Sequence, residues 1–410
     1  MSQVPFGKQN RAKFFSNISK DVIPVNHGAY GVVPDEVLEA HRKAMISEAS
    51  FPDKYINLIH PQNYKKALQL VATVIGADWH NLALVNSTTA AANCVLRSQT
   101  LIKPGVTIAI TSHCFGSNLN TIKYLNDVHD VKFVTINISP FMQPREILDQ
   151  FREAFTGNTA IEFVHFELIP LAPPFMMPYK EILALSRQFG VKTIVDAAHS
   201  IGQIHLDFSD ESCRPDIWFS NLHKWCYVPK GSCVMHVDPK HHGSLVPWPI
   251  QYGHDIPINE NTLVDKFQYV NLKNYPIVAV IPTAIEVRKE MGGEEAINSY
   301  CSSLAENVGK ELSNLWGTKK VIYSPQLAMV NIQLPVVPLD PLDPSNSMQL
   351  WMCEKMCSKG TFAPTFKVEG EWYVRFSCQV YNELEDFIKT GKILLDTINE
   401  WNSNQKGETI

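Results

Sequence analysis

The sequence predicts an α/β protein: a mainly parallel sheet covered by helices, followed by a smaller α+β region. Three observations carry this. Apolar runs of about four to eight residues recur through the first half of the chain, most of the earlier ones separated by helical stretches. These runs are apolar on both faces, as in parallel strands packed between helices. The last third changes to long helical patterns mixed with strands.

Taken in order, Pro34-Asp35-Glu36 sets a proline and two acids in a first helical turn, and Val37, Leu38, Ala40 and Ala44 follow at helical spacing, predicting a helix over 34–49. A second helix begins near Pro61, carries Tyr64, Ala67, Leu68, Val71, Ala72 and Ile75 on one face, and stops at Gly76. Strands are expected at 82–85, 107–111, 132–138, 161–168, 191–195, 217–220 and 232–237. The stretch 259–275 reads as irregular, and a long helical tract runs from Pro276 to Leu315. Strands at 329–333 and 372–376 and helices at 348–358 and 383–399 complete the chain. The implied organisation is an arm over 1–30, a large domain over 31–265 and a small domain over 266–410.

Composition narrows the function classes. The chain has 410 residues, 45% of them hydrophobic, and its 36 basic and 41 acidic residues leave a net charge of −5, which argues against disorder and against a basic nucleic-acid surface. No run reaches the roughly 20 apolar residues of a membrane span, and the first residues lack the apolar core of a signal peptide. A cytosolic location is therefore expected. The nine cysteines show no C-x-x-C pair and no zinc-like spacing, so they read as reduced thiols, mostly buried or inert, and no metal is expected.

The chemistry concentrates in two segments. Val191 to Ser200 ends a buried strand on Asp196, with His199 three residues on, and Pro215 to Trp225 ends the next strand on Asn221-Leu222-His223-Lys224-Trp225. A lysine at a strand end among apolar and aromatic neighbours is in the desolvated setting that makes an amine a Schiff-base nucleophile. An acid at the neighbouring strand end can hold a pyridinium nitrogen protonated. Upstream, Asn86-Ser87-Thr88-Thr89 follows a strand and opens a helix, a place where amides and hydroxyls face an anion such as a phosphate.

With these residues at this separation, the chain resembles the class V aminotransferase family of fold type I pyridoxal-phosphate enzymes. It is most similar to the isopenicillin N epimerase-like subgroup, which includes ergothioneine-pathway C–S lyases. The resemblance, over about residues 22–395, implies pyridoxal 5'-phosphate as cofactor, an amino-acid substrate and a homodimer. It implies that Lys224 carries the cofactor as a Schiff base and then acts as acid/base at the substrate α-carbon, that Asp196 pairs with the pyridine nitrogen, and that His199 binds the ring's 3-oxygen. Ser87, Thr88, Thr89, Asn221 and His223 match phosphate-side positions. Phe115 matches the ring that stacks on the cofactor, with His113 as the alternative, and Arg375 matches the arginine that grips the substrate α-carboxylate.

Two positions depart from the family pattern. Leu171, 25 residues before Asp196, stands where a polar ring contact is usual, and Asn271-Leu272 stands where a Gly-Thr pair reaches the partner's phosphate. The segment 359–365 has no cysteine; Phe362 falls near the place where cysteine desulfurases carry their persulfide-forming thiol, and Cys353 and Cys357 lie earlier, on a helix expected to turn them toward its own core. This favours β-elimination from a cysteine conjugate or sulfoxide, with an epimerase or aminotransferase as the alternative and a non-catalytic scaffold below both.

Overall fold

The computed structural model describes residues 4–250, 256–270, 273–341, 345 and 347–407. Asn271 and Leu272 lie outside the described residues. The chain forms two compact units, one made of 36–171 and 176–289, the other of 1–35, 172–175 and 290–410.

The larger unit is built on a seven-stranded sheet. Its strands are β1 (Leu82–Val85), β2 (Thr107–Thr111), β3 (Lys132–Ile136), β4 (Ile161–Glu167), β5 (Lys192–Asp196), β6 (Ile217–Asn221) and β7 (Cys233–Val237), in the spatial order β1-β7-β6-β5-β4-β2-β3. β3, β2, β4, β5 and β6 pair in parallel. The side chains of β2, β4, β5 and β6 are nearly all buried on both faces, as the continuous apolar runs require, whereas β3, at the sheet edge, buries only Ile136. One expectation needs correcting: β7 runs antiparallel to both β6 and β1. The physical reason is the length of the connection. Only residues 222–232 separate β6 from β7, and they hold a single four-residue helix, Leu222–Trp225, too short for the crossover that a parallel neighbour needs.

The helices follow the sequence pattern at their ends and depart from it inside. The His60–Ile75 helix buries Tyr64, Ala67, Leu68, Val71, Ala72 and Ile75 and ends at Gly76 in the left-handed conformation. The stretch read as irregular contains the Thr262–Gln268 helix, which buries Leu263, Val264 and Phe267; its seven residues are too few for the periodicity to show. The single tract expected over 276–315 is two helices, Pro276–Glu290 and Gly293–Trp316, because Gly292, at φ 120°, breaks the first and Gly293, at φ 83°, turns the chain into the second. The first of these two packs within the larger unit: Ile277, Val280, Ile281 and Ala284 are buried and the Arg288 guanidinium donates to the main-chain oxygens of Gly202 and Trp225. The larger compact unit thus extends through this helix to residue 289.

The smaller unit carries an antiparallel sheet in the order β10-β11-β9-β8, with β8 (Val321–Tyr323), β9 (Met329–Gln333), β10 (Thr365–Val368) and β11 (Glu371–Ser377). β8 and β10, with three and four residues, were not visible in the sequence pattern. The Met348–Ser358 helix turns Met352 and Met356 into the core beside Val374 and Phe376, while Cys353 is only partly buried and Cys357 is exposed. The expectation that both cysteines face the core is therefore corrected; the methionines one position away take that face. Among the described residues no helix is long and apolar enough to cross a membrane.

Candidate active site

In the larger unit the sequence-predicted residues gather at the carboxyl ends of β4, β5 and β6, where an open α/β sheet binds its ligands. Asp196 closes β5 and is 3% exposed. Its Oδ1 accepts the Ala198 amide hydrogen at 3.0 Å and its Oδ2 accepts from Asn118 Nδ2 at 2.8 Å. Burial, and then the charge of Glu167, push this carboxyl up to about 6. Both of its donors are neutral, so among the described residues no cation bonds this buried acid.

Glu167 closes β4 and sits opposite Asp196 in the strand register. It accepts hydrogen bonds from the Phe115 amide and the Thr111 hydroxyl, each at 2.9 Å, and burial raises it above the ordinary carboxylate range. On the same strand His165 directs Nδ1 at the Ile194 carbonyl, 3.1 Å away, so that nitrogen carries the proton; burial keeps the ring neutral. Its Nε2 faces Asn118 Nδ2 at 3.2 Å.

Lys224 lies in the short helix that follows β6, and its Nζ is 3.0 Å from His199 Nε2. The Trp225 indole N–H, which can only donate, points at His199 Nδ1 at 3.4 Å. A neutral imidazole that accepts at Nδ1 carries its proton on Nε2 and donates it to Lys224. The deprotonated amine accepts that hydrogen through its lone pair, and this is the nucleophilic form of lysine. Gly202 lets these two segments meet: at φ 82°, a Cβ there would lie 2.8 Å from the Trp225 carbonyl oxygen. Arg288 ties the same two segments together through Gly202 and Trp225.

The Thr88–Leu96 helix opens after β1, and Ser87 caps it by accepting the Ala90 amide hydrogen at 3.1 Å. Asn221 clamps this helix start to the end of β6: its Oδ1 accepts the Thr88 amide hydrogen and its Nδ2 donates to the Thr88 hydroxyl, both at 3.3 Å. Ser87 and Asn221 therefore fix this helix start, and Thr88 and Thr89 are its first two residues. His223 faces the Ser232 carbonyl at 3.4 Å, and burial followed by the nearby Lys224 charge pushes it down to about 4, so it is neutral. Phe115 precedes the Gly116–His129 helix. His113 is tethered through Nε2 to the Ile138 carbonyl at 3.0 Å. Leu171, 37% exposed, lies in the loop beyond β4; the polar residue beside Asp196 at that strand's end is Glu167.

In the smaller unit Arg375 lies on β11 and is 4% exposed, with one guanidinium nitrogen donating to Asn26 Oδ1 at 2.9 Å. Burial pushes it down to about 10, still charged at neutral pH. His27 pairs with the Tyr381 hydroxyl at 2.7 Å. Sequence reasoning assigned no side-chain role to Asn26, and it did not find Asn118, Glu167, His165 or Arg288. Glu167 alone left a trace, as an acid ending an apolar strand.

A buried acid bonded by neutral donors, a serine-capped helix start and a lysine amine beside a histidine suit a pyridinium, a phosphate and an aldehyde. The comparisons agree. Residues 31–350 match the family described as aminotransferase class-V. The chain belongs to that family. It is 25% identical over 395 residues to the hercynylcysteine sulfoxide lyase of Schizosaccharomyces pombe, covering 95% of this chain and 97% of that protein. It is 27% identical over 342 residues to an L-cysteine desulfhydrase of Arabidopsis thaliana, covering 78% and 73%. Its fold is similar to that of the cystine C-S lyase C-DES bound to its product cysteine persulfide, at a TM-score of 0.75 and 18% identity over 93% of this chain and 99% of that one. The cofactor of this aminotransferase class-V chain is pyridoxal phosphate, and its fold is fold type I.

Proposed function

We propose that this aminotransferase class-V chain is a C–S lyase that eliminates the sulfur substituent from a cysteine conjugate or sulfoxide, releasing a thiol or sulfenic acid, ammonia and a keto acid. The observation that carries this reading is the pairing of the Lys224 amine with His199 at a site whose family relatives include a sulfoxide lyase and a desulfhydrase. Bound pyridoxal phosphate supplies the sink for the electron pair left when the α-hydrogen is removed.

The chain's own residues divide the remaining work. Asp196 holds the ring nitrogen. The turn built by Ser87, Thr88, Thr89 and Asn221, with His223, holds the phosphate. Phe115 stacks on the ring; the tether on His113 favours Phe115 for that task. His199 orients the 3-oxygen side, and Lys224 moves the proton at the α-carbon. Arg375, held by Asn26, grips the α-carboxylate with its planar fork. Persulfide transfer is disfavoured because Phe362 stands where that chemistry needs a thiol, and it packs against the core of the smaller unit.

A homodimer is part of this proposal. Of sixteen residues, the Asp35–Ser50 helix buries only Val37, and Met45, Ile46, Phe51 and Leu58 on and after it are exposed, an apolar surface that a second copy would cover. The nine cysteines are present as thiols, which supports a cytosolic location.

The test is to supply cysteine S-conjugates and sulfoxides to the purified enzyme and to assay ammonia and keto acid. Stoichiometric release of both is expected. A stable persulfide on the protein, or racemised substrate without keto acid, would overturn the lyase reading.

A further inference from the structure

We infer that Asn118 is a positioning residue that keeps Asp196 in its ionised form toward the cofactor ring nitrogen; the inference rests on the pyridoxal-phosphate reading of the site. Asn118 lies on the Gly116–His129 helix, 1% exposed, and spends both amide hydrogens at this one place, on Asp196 Oδ2 and toward His165 Nε2. Its own Oδ1 is buried without a hydrogen-bond partner. An orphaned acceptor is unfavourable, and it is tolerated here because the opposite flip would set oxygen against oxygen at Asp196 and against the lone pair of His165. The direction is imposed from below: the Ile194 carbonyl holds the His165 proton on Nδ1, which leaves Nε2 as an acceptor. The chain Ile194, His165, Asn118, Asp196 thus has a fixed polarity that ends in a donor to the carboxylate.

The groups around Asp196 show why this donor matters. From β4, Glu167 pushes it toward protonation; His165 on that strand is neutral. The thiols of Cys114, beyond β2, and Cys233, on β7, are raised by burial and stay uncharged. Opposing Glu167 are the His165 ring and two hydrogen bonds, from the Ala198 amide and from Asn118. Without Asn118, one main-chain donor faces the second carboxylate, and the shared proton moves from the ring nitrogen to Asp196. The two arrangements hold the same number of protons, so the difference is read on the ring itself.

The experiment uses holoenzyme loaded with pyridoxal phosphate carrying ¹⁵N in the ring, as wild type, Asn118→Leu and Asn118→Ala. Wild type is expected to show the signal of a protonated ring nitrogen at neutral pH. Both variants should move it toward the unprotonated position, bind cofactor about tenfold more weakly and lose about tenfold in kcat with little change in KM. If Asn118→Leu fails to fold by circular dichroism, Asn118→Ala carries the test. An unchanged ¹⁵N signal in a folded variant overturns the role of Asn118. Wild-type protein that takes up no pyridoxal phosphate overturns the reading beneath it, an outcome that needs no variant to detect.

Discussion

Asp196 and Asp216 lie at opposite ends of neighbouring strands, and their surroundings differ in kind. Asp216, just before β6, receives the Lys240 ammonium at 2.5 Å, the His241 ring at 3.4 Å and the amide and hydroxyl of Thr193 at 2.8 and 2.9 Å. Burial opposes its ionisation, but these bonds outweigh burial and hold the carboxyl well below the ordinary range. Asp196 is more deeply buried, has two neutral donors and a second acid beside it, and is raised instead. An acid that completes its own counter-charge holds two strands together. One that does not is poised to receive a cation from outside, and a pyridinium is that cation.

The comparison is broken most directly at Asp196. Asp196→Asn should cost roughly 10²–10⁴ in turnover, because the ring loses the group that keeps it protonated, while Asp216→Asn should leave the turnover of folded enzyme close to wild type. Steady-state kinetics on both variants decides this; equal losses would erase the distinction. Arg375→Ala comes next. Removing a buried partner of a carboxylate should lower kcat/KM by about 2–5 kcal/mol, mostly through KM, in the elimination assay.

Stability separates the two acids in sign. In cofactor-free protein the folded-state value of Asp196 lies above its unfolded one, so the folded state binds the extra proton and stability falls as pH rises through about 4 to 6. Above that window the cost is fully present, and Asp196→Asn should stabilise the cofactor-free protein by about 2–3 kcal/mol in urea melts at pH 7.5. Asp216 is depressed, so its contribution is present above the unfolded value and is lost as pH falls toward the lowered one. Asp216→Asn should destabilise by about 1–3 kcal/mol at pH 7.5, from the Thr193 bonds more than from Lys240, whose side chain is 57% exposed. The smallest effect is expected from Trp225→Phe, which removes one indole donor at 3.4 Å and frees the His199 tautomer. A loss of up to about tenfold in kcat, with a shifted acid limb of the pH–rate profile, checks it.

How much was legible follows from the range of each signal. The strand at 107–111, the helix at 348–358 and the helix stop at Gly76 emerged where local pattern placed them, because burial of one face or two is written into a few adjacent side chains. Asp196 and Lys224 were legible for the same reason: each stands at the end of an apolar run. Asn118 donates to an acid 78 residues away and Asn26 accepts from an arginine 349 residues away, and no spacing rule reaches that far. A fixed offset back from Asp196 reached Leu171 in a loop, whereas the polar neighbour on the adjoining strand is Glu167.

The sequence by itself determined which segments become strands, which acid ends one and which lysine follows another, and where a serine caps a helix start, since these depend on propensity, capping and hydrophobic period within a few residues. Only the tertiary structure decided that β7 turns back against β6, that His199 meets Lys224 through Nε2, and that the Asn118 amide points a donor at Asp196. Those outcomes depend on connection length and on satisfying buried donors and acceptors across the sheet, where an unpaired polar group costs more than any local preference can offset.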